Sequence, residues 1–157
     1  MYYTEGYLWH IHRWRPPQNL RPSKSSYKAI TYGPTCPQAK VKSQYSRQAE
    51  DCLNLNIWAP PKAKSGSGYP VFVYMYGGAM VTGSNSNPQL QGTNFARKDV
   101  VYVNFNTRES IFASPYSSEL QRANPKTSQN LSILDVEKAL DWIRKNIKGR
   151  IGRGATN

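Results

Sequence analysis

Residues 73–84 read VYMYGGAMVTGS, an apolar and aromatic run that ends abruptly in Gly77, Gly78 and Ala79. Small residues after a buried strand let a backbone come close to a partner. Two roles fit. Glycine supplies the dihedrals of a tight turn. Backbone N–H groups at such a turn also point at a developing negative oxygen, and a minimal side chain lets a substrate come within hydrogen-bond range. Taken by itself the stretch reads as a turn.

Other chemistry-bearing residues are sparse. His10 and His12 sit in HIH near the N-terminus, but two ligands without a cysteine or carboxylate cluster make no zinc site. No metal or cofactor site is read elsewhere. No serine lies in G-x-S-x-G; Ser67 in GSG and Ser84 in TGS belong to loops. A nucleophilic serine needs a base and a strained presentation, and neither is visible. Cys36 and Cys52 are sixteen positions apart, which is no metal-site spacing. Two free thiols would suit a reducing compartment and one disulfide an oxidising one, and composition leaves both open. Asn130-Leu131-Ser132 fits the N-glycosylation pattern. It also sits where a helix is expected to start, and a capping role is preferred.

These residues need elements to hold them. Leu53, Leu55 and Ile57 alternate with Asn54 and Asn56, which predicts a half-buried strand. PPKAKSGSG (60–68) is a loop. The unbroken run from Val71 to Tyr76 predicts a strand buried on both faces, and Val100 to Phe105 predicts a second. The text between them is mostly loop, with a short helix near Asn94–Lys98. Ile133, Val136, Leu140, Ile143 and Ile147 recur at spacings of three and four, one apolar stripe of a helix. Ser132 precedes Asp135 in the manner of a capping box, so Ser132 is the expected N-cap, with Gly149 and Gly152 marking the end. Prolines punctuate residues 1–50 and no period appears there. Strand, loop, strand and helix within 157 residues predict one α/β domain.

Lys and Arg number 21 against 9 Asp and Glu, a formal charge of +12. The basic residues are scattered, so a basic surface with weak, non-specific affinity for nucleic acid is expected. The basic end IRKNIKGRIGR (143–153) lacks interleaved aromatics and reads as a solvated helix face. No apolar run approaches the roughly 18 residues of a membrane-spanning helix. The N-terminus lacks the apolar stretch and cleavage site of a signal peptide.

Six separate stretches line up, in order, with one family. RWRPPQ (13–18), YGPTCPQ (32–38), EDCLNLNIWAP (50–60), PVFVYMYGGAM (70–80), DVVYVNFNTR (99–108) and QNLSILDVEKALDWIRKNI (129–147) resemble the successive N-terminal signatures of the type-B carboxylesterases, the cholinesterase–lipase branch of the α/β-hydrolases. The EDCL block is the most specific. The resemblance divides the chain into a tail, 1–12, and a partial carboxylesterase domain, 13–157. It implies an incomplete α/β-hydrolase fold holding the N-terminal part of a mixed sheet. It pairs Cys36 with Cys52 in a disulfide, which in the chain-entropy picture stabilises by roughly 3 kcal/mol. It matches Arg13 and Glu50 to a buried ion pair whose disruption would strand a charge. It also makes Gly77, Gly78 and Ala79 an oxyanion loop, with Gly78 and Ala79 as the N–H donors.

The departures carry as much meaning. Ala79 stands for a third glycine, Met80 for an aromatic, Thr107 for the Tyr of N-Y-R, and Ser132 for a glycine. After Ile147 the family continues toward a nucleophile strand and G-E-S-A-G, whereas this sequence reads KGRIGRGATN. The resemblance therefore implies a fragment of a carboxylic-ester hydrolase that keeps the oxyanion loop, lacks nucleophile, acid and histidine, and is inactive alone. The alternatives are a non-catalytic interaction protein of the same family and, less favoured, a basic nucleic-acid-binding protein. The family disulfide implies secretion. A flat apolar strand at 70–76 without its neighbour implies an open edge, a route to self-association.

Overall fold

The computed structural model describes residues 13–20, 29–39, 47–123, 125 and 129–150, with the backbone alone at 148–150. His10, His12, Gly152 and the tail 1–12 lie outside the described residues.

Three strands make one mixed sheet: β1 (Leu55–Trp58), β2 (Val71–Tyr74) and β3 (Val101–Phe105), in the order β1-β3-β2. β3 runs antiparallel to β1, with Leu55 opposite Phe105, and parallel to β2, with Val71 opposite Val101. Side chains alternate across a strand, so β3 feeds two cores. Val101, Val103 and Phe105 join Leu55 and the disulfide on one side. Tyr102 joins Trp58 and Ala96 on the other, with Tyr74 against them. Phe72 stacks on the same tyrosine and Phe95 packs against it at a tilt, with ring centroids 5.9 and 5.0 Å away.

β3 is buried throughout, as its apolar run predicts. β2 departs from the expectation of burial on both faces: Phe72 is 44% and Met75 53% exposed. The cause is position. β2 is an edge strand, and no strand among the described residues lies beyond it.

β1 departs in the opposite sense. Its polar side is covered: Asn54, just before the strand, and Asn104, opposite Asn56 on β3, are fully buried, and Asn56 itself is half-buried. An unpaired buried amide costs about 1–3 kcal/mol, so burial demands partners. Asparagines supply them to one another. Asn54 Nδ2 donates to the carbonyls of Pro34 (3.0 Å) and Cys52 (2.8 Å), and Asn106 Nδ2 donates to the same two. Asn85 Nδ2 donates to Asn54 Oδ1 (2.9 Å), while the Asn85 amide donates to Asn106 Oδ1 (2.8 Å). Asn56 Nδ2 donates to Asn104 Oδ1 (3.0 Å). The network fastens residue 85, and the loop before it, to the sheet.

The helices are α1 (Thr93–Ala96), α2 (Ser118–Ala123) and α3 (Leu131–Arg150). α1 falls where a short helix was expected; α2 carries no sequence signal identified above. In α3, Ala139, Ile143 and Ile147 enter the core. Ile133 and Leu140 stay 40% and 46% exposed, so the apolar stripe is covered only in part. The buried line passes instead through Ser132 and Asp135, both nearly inaccessible.

Two expectations at the helix ends are corrected. Asn130, not Ser132, caps α3: its Oδ1 accepts from the Ile133 amide at 3.4 Å. Ser132 lies one turn too deep, its own amide donating to Ala113 O (3.3 Å), and Asp135 is taken by Arg108. Gly149 does not end the helix, which continues through Arg150. A helical glycine costs about 1 kcal/mol without forbidding the conformation.

Candidate active-site loop

The loop after β2 begins at Tyr76, which is buried while Gly77, Gly78, Ala79 and Met80 are exposed. Gly78 has φ 152°, and Ala79 and Met80 follow with φ 56° and 59°. A Cβ on Gly78 would lie 1.7 Å from the Thr82 carbonyl oxygen, so this position requires glycine. That closeness reflects the turn itself, in which the Val81 and Thr82 amides both donate to Gly78 O (3.0 and 3.3 Å). Two successive left-handed non-glycine residues cost on the order of 1 kcal/mol each. Among the described residues the amides of Gly77, Gly78 and Ala79 donate to no partner. Successive N–H groups held at such dihedrals are the material of an anion-binding concavity.

The loop is held at three points. At its root the Tyr76 hydroxyl donates to Glu109 Oε1 (2.9 Å) and accepts from the Thr107 amide (3.2 Å). At its middle Met80 O accepts from the Ser110 amide (2.7 Å). At its far end Gln38 clasps Gly83, accepting from its amide (2.8 Å) and donating to its carbonyl (2.7 Å). Gln38 lies two residues from Cys36, which is bonded to Cys52 across a Cα–Cα distance of 4.9 Å. The pairing implied by the resemblance is present, and it anchors the segment that holds Gly83.

Electrostatics follow burial. Glu109 is 1% exposed, and desolvation pushes its carboxyl up, opposed by the hydroxyls of Tyr76 and Thr107. Desolvation likewise pushes the Tyr76 phenol far up, with the neighbouring Glu109 adding to the effect. Beside them Asp135, fully buried, accepts from Arg108 three times: from the amide (3.0 Å), Nε (2.9 Å) and Nη2 (2.7 Å). Burial pushes Asp135 up while Arg108 opposes it.

The remaining sequence-derived residues fall as follows. Arg13 and Glu50 form a bidentate ion pair, but a surface one, with side chains 37% and 21% exposed. This corrects the buried pair expected above: both carboxylate oxygens are engaged, yet water reaches the site and screens it. Ser84 is 2% exposed, bonded to Thr35 and Ser86. Ser67 accepts from the Lys64 amide in a turn. Both are loop residues, as read from sequence. The sequence reading missed Tyr76 and Glu109, which lie 33 positions apart and meet only through the fold. An acidic residue directly after the basic Arg108 was the available signal.

A mixed sheet whose parallel strand runs into a glycine-rich loop, backed by a long helix, is the N-terminal portion of an α/β-hydrolase fold. Comparison gives the same class. The solved structure of a PNB esterase superposes with a TM-score of 0.80 at 31% identity, covering 97% of this chain and 31% of that one. The chain belongs to the carboxylesterase family, whose profile matches residues 10–150. It is 36% identical over 140 residues to the fumonisin B1 esterase of Sphingopyxis macrogoltabida, covering 87% of this chain and 26% of that protein. It is 31% identical over 144 residues to a secreted lipase of Arthroderma benhamiae, covering 86% of this chain and 25% of that protein. The chain thus spans about a quarter of the length of these curated relatives.

Proposed function

We propose that these residues supply the oxyanion part of a carboxylic-ester hydrolase site, with Gly78 and Ala79 donating their amides and Gly77 opening the loop. The observation that carries this reading is the exposed, unengaged pair of amides at the turn after β2. In ester hydrolysis a serine oxygen attacks the acyl carbon, a histidine takes the serine proton, and the former carbonyl oxygen becomes negative. Preorganised N–H donors stabilise that oxygen without reorganising as the charge develops. Carboxylic esters are the substrate class, in keeping with the esterase and lipase named among the relatives.

The attacking serine is not among these 157 residues in any G-x-S-x-G setting. On this reading these residues by themselves do not hydrolyse esters. An extracellular destination is supported by the disulfide and by the relative named as secreted. The open edge of β2 beside exposed Phe72 and Met75 favours a second reading, in which the isolated chain associates with itself or with another polypeptide.

Two preparations test the function. The purified chain should neither hydrolyse p-nitrophenyl butyrate nor take up a fluorophosphonate label. A hybrid in which it replaces the matching quarter of the fumonisin B1 esterase should do both. Turnover by the chain alone, or a folded hybrid that labels but does not turn over, would count against the proposal.

A further inference from the structure

Glu109 is out of place by ordinary rules. Fully buried glutamates are rare unless paired with a cation. Among the described residues no cation bonds it. Its neighbour Arg108 is committed to Asp135 and to the Arg15 carbonyl (2.8 Å). One carboxylate oxygen, Oε1, accepts from the Tyr76 hydroxyl (2.9 Å) and from Thr107 Oγ1 (3.2 Å). The other, Oε2, is buried with no partner. Such burial is unfavourable, so Glu109 weakens the fold and invites another explanation.

The explanation lies in what those two hydroxyls hold. Tyr76 is the last buried residue before the exposed glycines. Its ring also forms the floor under the far end of the loop, where a Cβ on Gly83 would meet ring carbons at 2.3 Å. The next residue along, Ser110, donates its amide to Met80 O (2.7 Å). The dipeptide Glu109–Ser110 thus grips the loop at both its root and its middle, on either side of Gly78 and Ala79.

We propose that Glu109 is a positioning residue: by orienting Tyr76 while Ser110 holds Met80, it fixes the backbone of Gly78 and Ala79 in the geometry that presents their amides. Its catalytic meaning rests on the function proposed above. The clamp itself does not, and can be measured without any ester.

Amide hydrogen exchange, followed by NMR on the full 157-residue chain, reads the clamp directly. The Thr107 amide reports the root and the Ser110 amide the middle. Tyr76→Phe removes the acceptor of the Thr107 amide, so faster exchange there is trivial. The clamp predicts more: the Ser110 amide should also lose protection, by about tenfold, while amides of β3 keep theirs. Glu109→Leu should do the same at both sites. Glu109→Gln retains an oxygen at the Oε1 position and should restore protection to within about threefold of the parent. Unchanged Ser110 exchange in Tyr76→Phe would overturn the proposal. So would equal loss across β3, which would make Glu109 a stability residue only. If Glu109→Leu fails to fold, the other two variants still decide the matter.

Discussion

Asp135→Asn is the substitution whose cost the structure defines best. Asp135 is fully inaccessible, and the Arg108 side chain is 11% exposed. Three N–H groups of Arg108 converge on the carboxylate at 2.7–3.0 Å. The asparagine amide keeps the shape but removes the charge and turns an NH2 toward the guanidinium. Breaking a buried pair by removing one partner typically costs about 3–5 kcal/mol. Against a usual domain stability of about 5–15 kcal/mol, that is about a fifth of the total or more. With a urea slope of about 1–3 kcal/mol per molar for a small protein, the unfolding midpoint should fall by about 2 M. Tryptophan fluorescence reports the transition, since Trp58 is 8% exposed in the fold. The double variant Arg108→Met/Asp135→Leu removes both charges and should cost less than the two single changes added together. A loss below about 1 kcal/mol for Asp135→Asn, or strict additivity in the double variant, would refute the reasoning.

Three further outcomes are expected. Cys36→Ala/Cys52→Ala should cost about 3 kcal/mol in thermal or urea unfolding, because the bond closes a sixteen-residue separation. Ala79→Gly should leave stability unchanged or raise it by up to about 1 kcal/mol, since relief of left-handed strain at φ 56° offsets the added freedom of the unfolded chain; a clear drop in the melting midpoint would contradict it. Glu109 should make stability pH-dependent. Its carboxyl is raised above the ordinary 4.5 by burial, so the protonated form is the one the fold prefers. That contribution is present at low pH and lost as pH rises through the raised value. The melting midpoint of the parent, minus that of Glu109→Gln, should therefore fall as pH goes from about 4.5 to 7, since Asp135 titrates in both proteins and Glu109 in the parent alone.

Much of the fold was legible because short-range patterns carried it. Val101 to Phe105 reads as a buried strand and is one. The three- and four-residue spacing marks α3, whose Ile143 and Ile147 reach the core. Legibility failed where position in the sheet decided the outcome. Val71 to Tyr76 has the composition of a central strand, yet β2 lies at an edge, and no local pattern distinguishes the two. Asn54 and Asn56 read as a solvated face, because the side chains that let Asn54 be buried and Asn56 half-buried sit far along the chain, at Asn85 and Asn104. Ser132 looked like the cap because the pattern with Asp135 is local, whereas Arg108, which claims that carboxylate, is 27 positions away. The loop glycines were visible as punctuation after a strand. The Tyr76–Glu109 contact beneath them was not, since neither residue type announces a partner 33 positions distant.

The central claim is that the amides of Gly78 and Ala79 face the oxygen that becomes negative during ester hydrolysis. Gly78→Val in the hybrid with the fumonisin B1 esterase tests it most directly. At φ 152°, with the Thr82 carbonyl 1.7 Å from a built Cβ, no side chain fits without displacing the turn. Loss of one oxyanion donor lowers kcat by about 10²–10³. The account predicts a fall of that size with KM little changed and fluorophosphonate labelling still detectable. An unchanged kcat in the folded variant would contradict it.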